Sequence, residues 1–168
     1  MSRISLEMLL ESRDRRAARR QELLAAYPAC SLVCMTVQLP GPITRNAASL
    51  IIGGAGLQAL LDKFGSCLKH IQVRDLESGY EAYLLVPLPA ALVKRLCCEI
   101  EDRHPLGRLM DIDVAGREGP LDRSSLGLEP RRCLLCENEV RYCMRAKSHT
   151  QDELLAKINE MVSKFCQK

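Results

Sequence analysis

Two aspartates separated by one residue, Asp111 and Asp113, form the pattern in this sequence with the clearest chemical meaning. They lie in an otherwise apolar run, and in a β-strand the side chains at i and i+2 point to the same face. Two neighbouring carboxylates repel each other and lose hydration, and a divalent cation relieves both costs. Mg²⁺ is commonly held by one or two carboxylates together with substrate phosphates. The spacing predicts a magnesium site, with a solvent-facing or arginine-paired aspartate pair as the alternative.

A second pattern combines three cysteines and one histidine in the spacing C-x2-C-x6-C-x5-H, formed by Cys133, Cys136, Cys143 and His149. Thiolates and imidazole are the ligands that Zn²⁺ prefers, and four of them close a tetrahedral site. Two alternatives stay open. The chain has nine cysteines, so these thiols can be metal-free packing residues. One of them can also be a nucleophile with His149 as its base.

Composition restricts the classes of partner. The chain has 168 residues, which predicts one domain, and a net charge of +3. It has no Trp, two Phe and four Tyr, which argues against nucleic-acid binding by base stacking. Its mild basic charge suits an acidic ligand rather than nucleic acid in general. No apolar segment is long enough to span a membrane, and the odd number of cysteines indicates reduced thiols. We therefore expect a cytoplasmic protein with no nucleic-acid or membrane partner.

The order of elements predicts an α+β fold. Apolar periodicity gives strand, helix, strand, strand, helix, strand, which is the split βαβ (ferredoxin-like) pattern of an antiparallel sheet. A nucleotidyltransferase-type antiparallel or mixed sheet with flanking helices is the alternative. The predicted strands cover residues 31–39, 67–75, 80–87 and 107–114, and the predicted helices cover 5–26, 46–64, 89–103, 137–146 and 151–166. One domain, 1–168, then comprises an arginine-rich helix (1–28), an α/β core (31–114), and an Arg/Cys loop with C-terminal helices (115–168).

The first predicted helix, with Ser5 as its N-cap, carries a run of arginines between Arg13 and Arg20. Charge runs on helices are usually solvated faces. The functional alternative is a surface that binds phosphate or an acidic partner.

Three motifs follow one another along nearly the whole chain, and the second and third of them are specific. The three are Pro40-Gly41-Pro42-Ile43; His104-Pro105-Leu106-Gly107-Arg108 with Asp111-Ile112-Asp113-Val114; and Arg131-Arg132-Cys133-Leu134-Leu135-Cys136 with Cys143, Arg145, Lys147 and His149. Together they resemble the CitX family, the phosphoribosyl-dephospho-CoA transferases (holo-acyl-carrier-protein synthases) of citrate lyase. The family usually has a lysine after the Gly-Pro-Ile turn, where this chain has Thr44 and Arg45.

The resemblance implies a nucleotidyltransferase. Such an enzyme moves the prosthetic group of 2′-(5″-triphosphoribosyl)-3′-dephospho-CoA to a serine of the acyl-carrier (gamma) subunit of citrate lyase and releases diphosphate. Two alternatives remain on the residues alone. One is a metal-dependent nucleotidyltransferase that acts on another small protein or molecule. The other is a non-catalytic, zinc-binding interaction module.

For the implied reaction we assign roles to the motif residues. Asp111 and Asp113 would hold Mg²⁺, and Arg108 would contact a non-bridging phosphate oxygen. Either aspartate, or His104, would be the general base. The predicted substrate-binding residues are Gly41, Arg45, Arg131, Arg132, Arg145 and Lys147. The helix with Arg13 and Arg20 would dock the carrier subunit, because such carriers are typically acidic.

Overall fold

A computed structural model of the chain describes residues 5–37 and 39–167. Within these ranges the order of elements is α1 (Leu6–Ala26), β1 (Ser31–Val37), α2 (Ala47–Phe64), β2 (His70–Leu76), β3 (Gly79–Val86), α3 (Ala90–Arg103), β4 (Met110–Gly116), β5 (Gly119–Leu121), α4 (Val140–Ala146) and α5 (Gln151–Cys166). Short 3-10 helices cover Gly65–Cys67, Gly107–Leu109 and Ser124–Leu126. The predicted strand 31–39 runs onto residue 38, which lies outside the described residues, as do residues 1–4 and 168 of the predicted domain.

The five strands form one sheet in the order β2-β3-β1-β4-β5. All four neighbouring pairs are antiparallel. Strands β1 to β4 and the crossover helices α2 and α3 reproduce the split βαβ order, which confirms the predicted α+β fold. Because every pair of described strands is antiparallel, the sheet is not mixed.

Each face of the sheet is covered by different helices. Strand β1 is buried on both faces, and its alternating side chains divide between two cores. Val33 and Met35 belong to the larger core, under α2 and α3. Leu32 and Cys34 belong to the smaller core, where Leu23 of α1 packs on the opposite face. The face under α1 is therefore apolar only near the C-terminal end of that helix.

Local capping explains where two of the predicted helices begin. Ser5 caps α1 by accepting a hydrogen bond from the Met8 N–H. Thr150 and Glu153 form a reciprocal capping box at the start of α5. Both predicted starts are confirmed. No helix in the described part of the chain is long and apolar enough to cross a membrane.

Strand β5 was not expected, because the segment from Gly116 to Pro130 reads as a loop. Gly119 has φ +114°, a conformation that glycine adopts without strain and that closes the turn from β4. Pro120 is tolerated because it lies on the edge of the sheet. The strand is only three residues long and pairs with Val114–Gly116. Among the described residues, the first half of β4 therefore has no strand beside it on its outer edge.

Candidate active site

The two aspartates of β4 lie side by side, as their spacing predicts. Met110, Ile112 and Val114 are buried in the core under α2 and α3, and the intervening positions alternate to the α1 face. Asp111 is directly opposite Thr36 on β1, and the next pair across the same strands is Asp113 with Cys34. Helix α1 covers this face of the sheet. The two carboxylates stand at its charged end, and the smaller apolar core with Leu23 lies at the other end.

Two cavities meet at this carboxylate pair. The first, of about 370 Å³, opens at the outer edge of β4 and includes Lys94, Arg123 and Arg131 in its lining. The second, of about 310 Å³, lies between α1 and the sheet. Asp111 and Asp113 line both cavities. A group bound at the carboxylates is therefore accessible from two sides.

Helix α3 holds the backbone between the two aspartates. The Lys94 ammonium donates to the Ile112 carbonyl oxygen at 2.8 Å, and the Ile112 N–H donates to the Glu101 carboxylate at 3.0 Å. Both side chains are buried, and they pair with the main-chain N–H and C=O of Ile112 as a neighbouring strand would. Sequence reasoning missed this pair. Its signal was the seven-residue spacing, which places two charges on one face of a helix with an apolar stripe.

Two arginines extend this arrangement along the first cavity. Arg131 donates to the Asp111 carboxylate at 3.3 Å and to the Met110 carbonyl at 2.9 Å. Arg123 donates to the Glu101 carboxylate at 2.8 Å. The outer edge of β4 is consequently lined by guanidinium groups that a polyphosphate would approach.

The second cavity is lined by arginines of α1. Arg20 donates to the Asp113 carboxylate at 2.8 Å. Arg16 lies 3.3 Å from the carboxylate of Glu81, a buried residue that also accepts the Tyr83 hydroxyl at 2.9 Å. Arg13 completes this basic wall.

These three arginines face the carboxylates rather than forming only a solvated surface. Arg13, Arg16 and Arg20 are spaced i, i+3 and i+7, which places them on one face of α1. That spacing was a signal in the sequence for a functional face. What it does not reveal is that the opposing surface is acidic.

The folded surroundings disfavour the charged form of Asp111 despite its contact with Arg131. Burial raises the pKa of Asp111, and the negative charge of Asp113 raises it further, against the lowering effect of Arg131. Removal of water and like-charge repulsion therefore outweigh the guanidinium. A bound divalent cation would relieve this conflict, and the two carboxylates are the oxygen ligands that Mg²⁺ takes.

Two residues predicted to be catalytic hold backbone instead of lining either cavity. The Arg108 guanidinium donates to the carbonyl oxygens of Arg132 and Cys133, the latter at 2.7 Å. The His104 Nδ1 accepts the Leu106 N–H at 3.0 Å. Arg108 thus joins the turn before β4 to the segment at Arg132 and Cys133, and His104 contacts the main chain of its own turn. Neither side chain lines the described cavities at Asp111 and Asp113.

The predicted phosphate-binding residues do not converge on one site. Arg131 lines the first cavity. Arg45 is paired with Asp75 of β2 at 2.7 Å. Because β2 is three strands from β4 and strands are about 4.8 Å apart, Arg45 belongs to the opposite edge of the sheet.

The remaining predicted substrate-binding residues lie at turns and on the surface. Gly41 has φ +94° and stands against the side chain of Gln151, so it serves the turn after β1. The exposed Arg132 pairs with Glu137 at 2.8 Å. Lys147 adopts the left-handed conformation that ends α4. Arg145 is exposed in the last turn of α4. None of these four lines either described cavity.

The cysteine–histidine pattern is brought together. Cys133, Cys136, Cys143 and His149 each direct one ligand atom to a common point, and these four atoms all lie within 4.8 Å of one another. The described part of the chain therefore holds two separate groups suited to metal ions, one with oxygen ligands and one with sulfur and nitrogen.

Comparison with known proteins decides the family. The model of the family described as CitX, apo-citrate lyase phosphoribosyl-dephospho-CoA transferase, matches residues 4–165. The chain belongs to the CitX family. It is 39% identical over 164 residues to the apo-citrate lyase phosphoribosyl-dephospho-CoA transferase of Escherichia coli O1:K1 / APEC, covering 95% of this chain and 89% of that one.

Two further relatives of this CitX-family chain carry similar names. A probable apo-citrate lyase phosphoribosyl-dephospho-CoA transferase of Vibrio cholerae serotype O1 (strain M66-2) is 37% identical over 167 residues, with 96% of this chain and 93% of that one covered. Another, from Streptococcus pyogenes serotype M18, is 34% identical over 170 residues, with 98% and 88% covered. The similarity spans the carboxylate strand and the cysteine–histidine cluster alike.

Proposed function

We propose that this chain transfers the prosthetic group of 2′-(5″-triphosphoribosyl)-3′-dephospho-CoA to a serine of the apo acyl-carrier subunit of citrate lyase. Membership of the CitX family and the names of the relatives support this substrate pair. The observation that carries the proposal is the position of Asp111 and Asp113, where two cavities meet. A transfer reaction needs a donor and an acceptor at one point, and this arrangement gives each its own approach.

The donor would occupy the cavity at the outer edge of β4. Its triphosphate is strongly negative, and Arg123 and Arg131 present guanidinium groups there. Mg²⁺ held by Asp111 and Asp113 would supply positive charge beside the reacting phosphate and the leaving diphosphate. The carrier serine would approach through the cavity under α1. Attacking and leaving oxygens are roughly in line in phosphoryl transfer, which suits approach from two sides.

The proposed step conserves atoms and charge. A bond forms between the serine oxygen and the α-phosphorus, and the bond from that phosphorus to the diphosphate oxygen breaks. The diphosphate leaves with the electron pair, toward the arginines of the first cavity. The serine proton passes to one of the two carboxylates, Asp111 or Asp113, because both line the cavity through which the serine would approach. His104 is less suited, since its Nδ1 already accepts a main-chain N–H.

The test combines diphosphate release with the intact mass of the carrier. Wild-type protein, Mg²⁺, the triphosphoribosyl donor and the apo carrier subunit should give one diphosphate per prosthetic group attached. Asp113→Asn should abolish the reaction. The control is Asp62→Asn, which removes an exposed carboxylate of α2 whose partner is Gln58. Equal activity of the Asp113 variant would refute the carboxylate site, and no mass gain with folded wild type would refute the substrate pair.

The arginine face of α1 gives a second readout for the carrier. Arg13→Glu should raise KM for the carrier and leave KM for the donor unchanged, because Arg13 lines only the second cavity. Arg15→Glu is the matched control, since it reverses the charge of an exposed arginine on the same helix that lines neither cavity. If both variants change the carrier KM equally, the carrier is attracted by net charge and not by this face.

We also propose a cytoplasmic location. All nine cysteines are free thiols, which is the state kept by a reducing compartment. Blocking the thiols in intact cells and then measuring the mass of the isolated protein would test this. Disulfides found in that protein would contradict a cytoplasmic location.

A further inference from the structure

The segment between β5 and α5 contains little regular structure, yet its fold is closely defined. Arg132 and Glu139 form an isolated β-bridge, and the Cys133 N–H donates to the Asn138 carbonyl at 2.7 Å. This tight hairpin brings the first two cysteines of the cluster back beside α4, which carries Cys143. Leu134 packs this hairpin against the larger core, and the cysteines at positions 133 and 136 belong to the cluster.

The chain then makes a second turn that returns His149 to the same point. Lys147, at φ +48°, is the one non-glycine residue of the described chain with a positive φ. It ends α4, and the Ser148 N–H donates back to the Cys143 carbonyl at 3.1 Å. A bulky residue in this conformation is uncommon, and such strain persists where the surroundings determine it. What it achieves here is to place the imidazole beside the three sulfurs.

The distances suit a tetrahedral metal site. The four ligand atoms lie within 4.8 Å of one another, and the sulfurs of Cys136 and Cys143 are 3.5 Å apart. With Zn–S bonds of about 2.3 Å, two sulfurs at corners of a tetrahedron are about 3.8 Å apart. A disulfide needs sulfurs about 2.05 Å apart, which these thiols do not satisfy.

Two polar features point to a ligand in the centre. The Nε2 atom of His149 is buried and has no hydrogen-bond partner among the described residues. Such an atom is costly to bury unless its lone pair or its proton is used. The sulfur of Cys133 accepts the main-chain N–H groups of Leu135 and Cys136, which fix its position in the cluster. A metal-free packing cluster would not explain the unpaired histidine nitrogen.

We propose that Cys133, Cys136, Cys143 and His149 bind one Zn²⁺ as a structural site. Four protein ligands leave no open position, which is typical of structural and not catalytic zinc. Its role is to fix the arginine-bearing segment against β4. Arg131, two residues before the first ligand, contacts the Asp111 carboxylate and is therefore placed by this site.

The two segments are joined in both directions. The Arg108 side chain donates to the carbonyls of Arg132 and Cys133, and the Arg131 side chain donates to the carbonyl of Arg108 at 3.0 Å. Loss of the metal would free the hairpin that supplies these carbonyls. Arg131 would then leave the wall of the first cavity, while Arg123 stays on Glu101 and the sheet keeps its register.

The experiment measures metal in the purified full-length chain by elemental analysis. We expect one zinc per chain in wild type and in Cys166→Ser, which removes an exposed cysteine outside the cluster. Cys136→Ser should lose the metal. His149→Cys should keep it, because four thiolates also bind zinc tetrahedrally. Replacement by Co²⁺ should give thiolate-to-cobalt charge-transfer absorption in wild type and a stronger band in His149→Cys.

Several results would overturn the proposal. They are absence of zinc from wild type produced and purified with zinc present, absence of the cobalt band, full zinc content in Cys136→Ser, or a disulfide detected by intact mass. If Cys136→Ser does not fold, wild type decides alone: a chelator should lower its melting temperature, and Zn²⁺ but not Mg²⁺ should restore it. Metal content does not depend on transfer activity, so this test is independent of the proposed reaction.

Discussion

Replacing Lys94 by methionine tests whether α3 fixes the backbone between the two aspartates. The Lys94 side chain is 6% exposed, and its ammonium donates to the Ile112 carbonyl at 2.8 Å. Methionine keeps most of the apolar stem and removes the donor. A hydrogen bond from a charged group contributes about 1.5–3 kcal/mol, so the variant should lose about that much stability.

The matched control is Lys63→Met on α2. Its ammonium is 3.5 Å from the Glu99 carboxylate, and the two side chains are 43% and 44% exposed. Exposed ion pairs of this kind contribute about 0–1 kcal/mol, because solvent screens them and many have no measurable effect. The same lysine-to-methionine change therefore separates a buried backbone contact from a surface pair.

Thermal unfolding measures the difference. For a chain of this size about 1 kcal/mol shifts the melting temperature by about 2–4 °C, so Lys94→Met should melt about 3–12 °C lower and Lys63→Met about 0–4 °C lower. Transfer activity should fall in the Lys94 variant only, since Asp111 and Asp113 flank the residue that loses its support. If Lys94→Met melts no lower than Lys63→Met, the proposed support of Ile112 is wrong.

Other substitutions test the carboxylate pair, a tight backbone contact and helix α2. The pKa of Asp111 is raised in the folded protein, so its protonation stabilises the fold below the unfolded value of about 3.9. That stabilisation is lost as the pH rises through the raised folded pKa. Without divalent metal, Asp111→Asn should therefore melt above wild type at neutral pH and match it in acid; a lower melting temperature at neutral pH would contradict this sign. Gly107→Ala would place its Cβ 2.3 Å from the Ile100 carbonyl oxygen, and it should cost about 1–3 kcal/mol or more. An unchanged urea midpoint would count against that clash. Gly54→Ala meets no atom within 4 Å inside α2, and it should add about 0.8–1 kcal/mol in the same urea titration. A decrease would show that this glycine has a role the structure does not reveal.

Features that depend on neighbours in sequence were predictable. Ser5 and Thr150 cap the helices they were expected to cap, because capping uses side chains within a single turn. The alternation around Asp111 and Asp113 follows from the two-residue period of a strand. The order of elements then limited the sheet to a few topologies.

Features that depend on which surfaces meet were not predictable. The spacing of Arg13, Arg16 and Arg20 shows that they share a face, but only the fold shows that this face meets two aspartates. In the sequence, Lys94 and Glu101 belong to an ordinary amphipathic helix. Only the structure shows that β5 is too short to pair with all of β4, so that these two side chains bind the Ile112 main chain instead.

The type of a residue led to a wrong expectation of its role where the side chain is hydrogen-bonded to nearby main-chain groups. Arg108 has the chemistry to bind phosphate, yet its Nη2 group donates to the carbonyls of Arg132 and Cys133. Burial lowers the pKa of His104, and its Nδ1 is occupied by the Leu106 N–H. The sequence shows which hydrogen-bonding groups a residue has, and only the structure shows which of them are already paired.

The carboxylate pair and the basic walls around it are held by different forces. Asp111 and Asp113 are positioned by the main-chain pairing of β4 with β1 and by the buried contacts of Ile112. The arginines of α1 that face them are held by partly exposed ion pairs, such as Arg20 with Asp113. Mobile salt ions weaken the second kind of contact much more than the first. Ionic strength therefore acts on the arginine wall formed by α1, while the spacing of the two aspartates is insensitive to it.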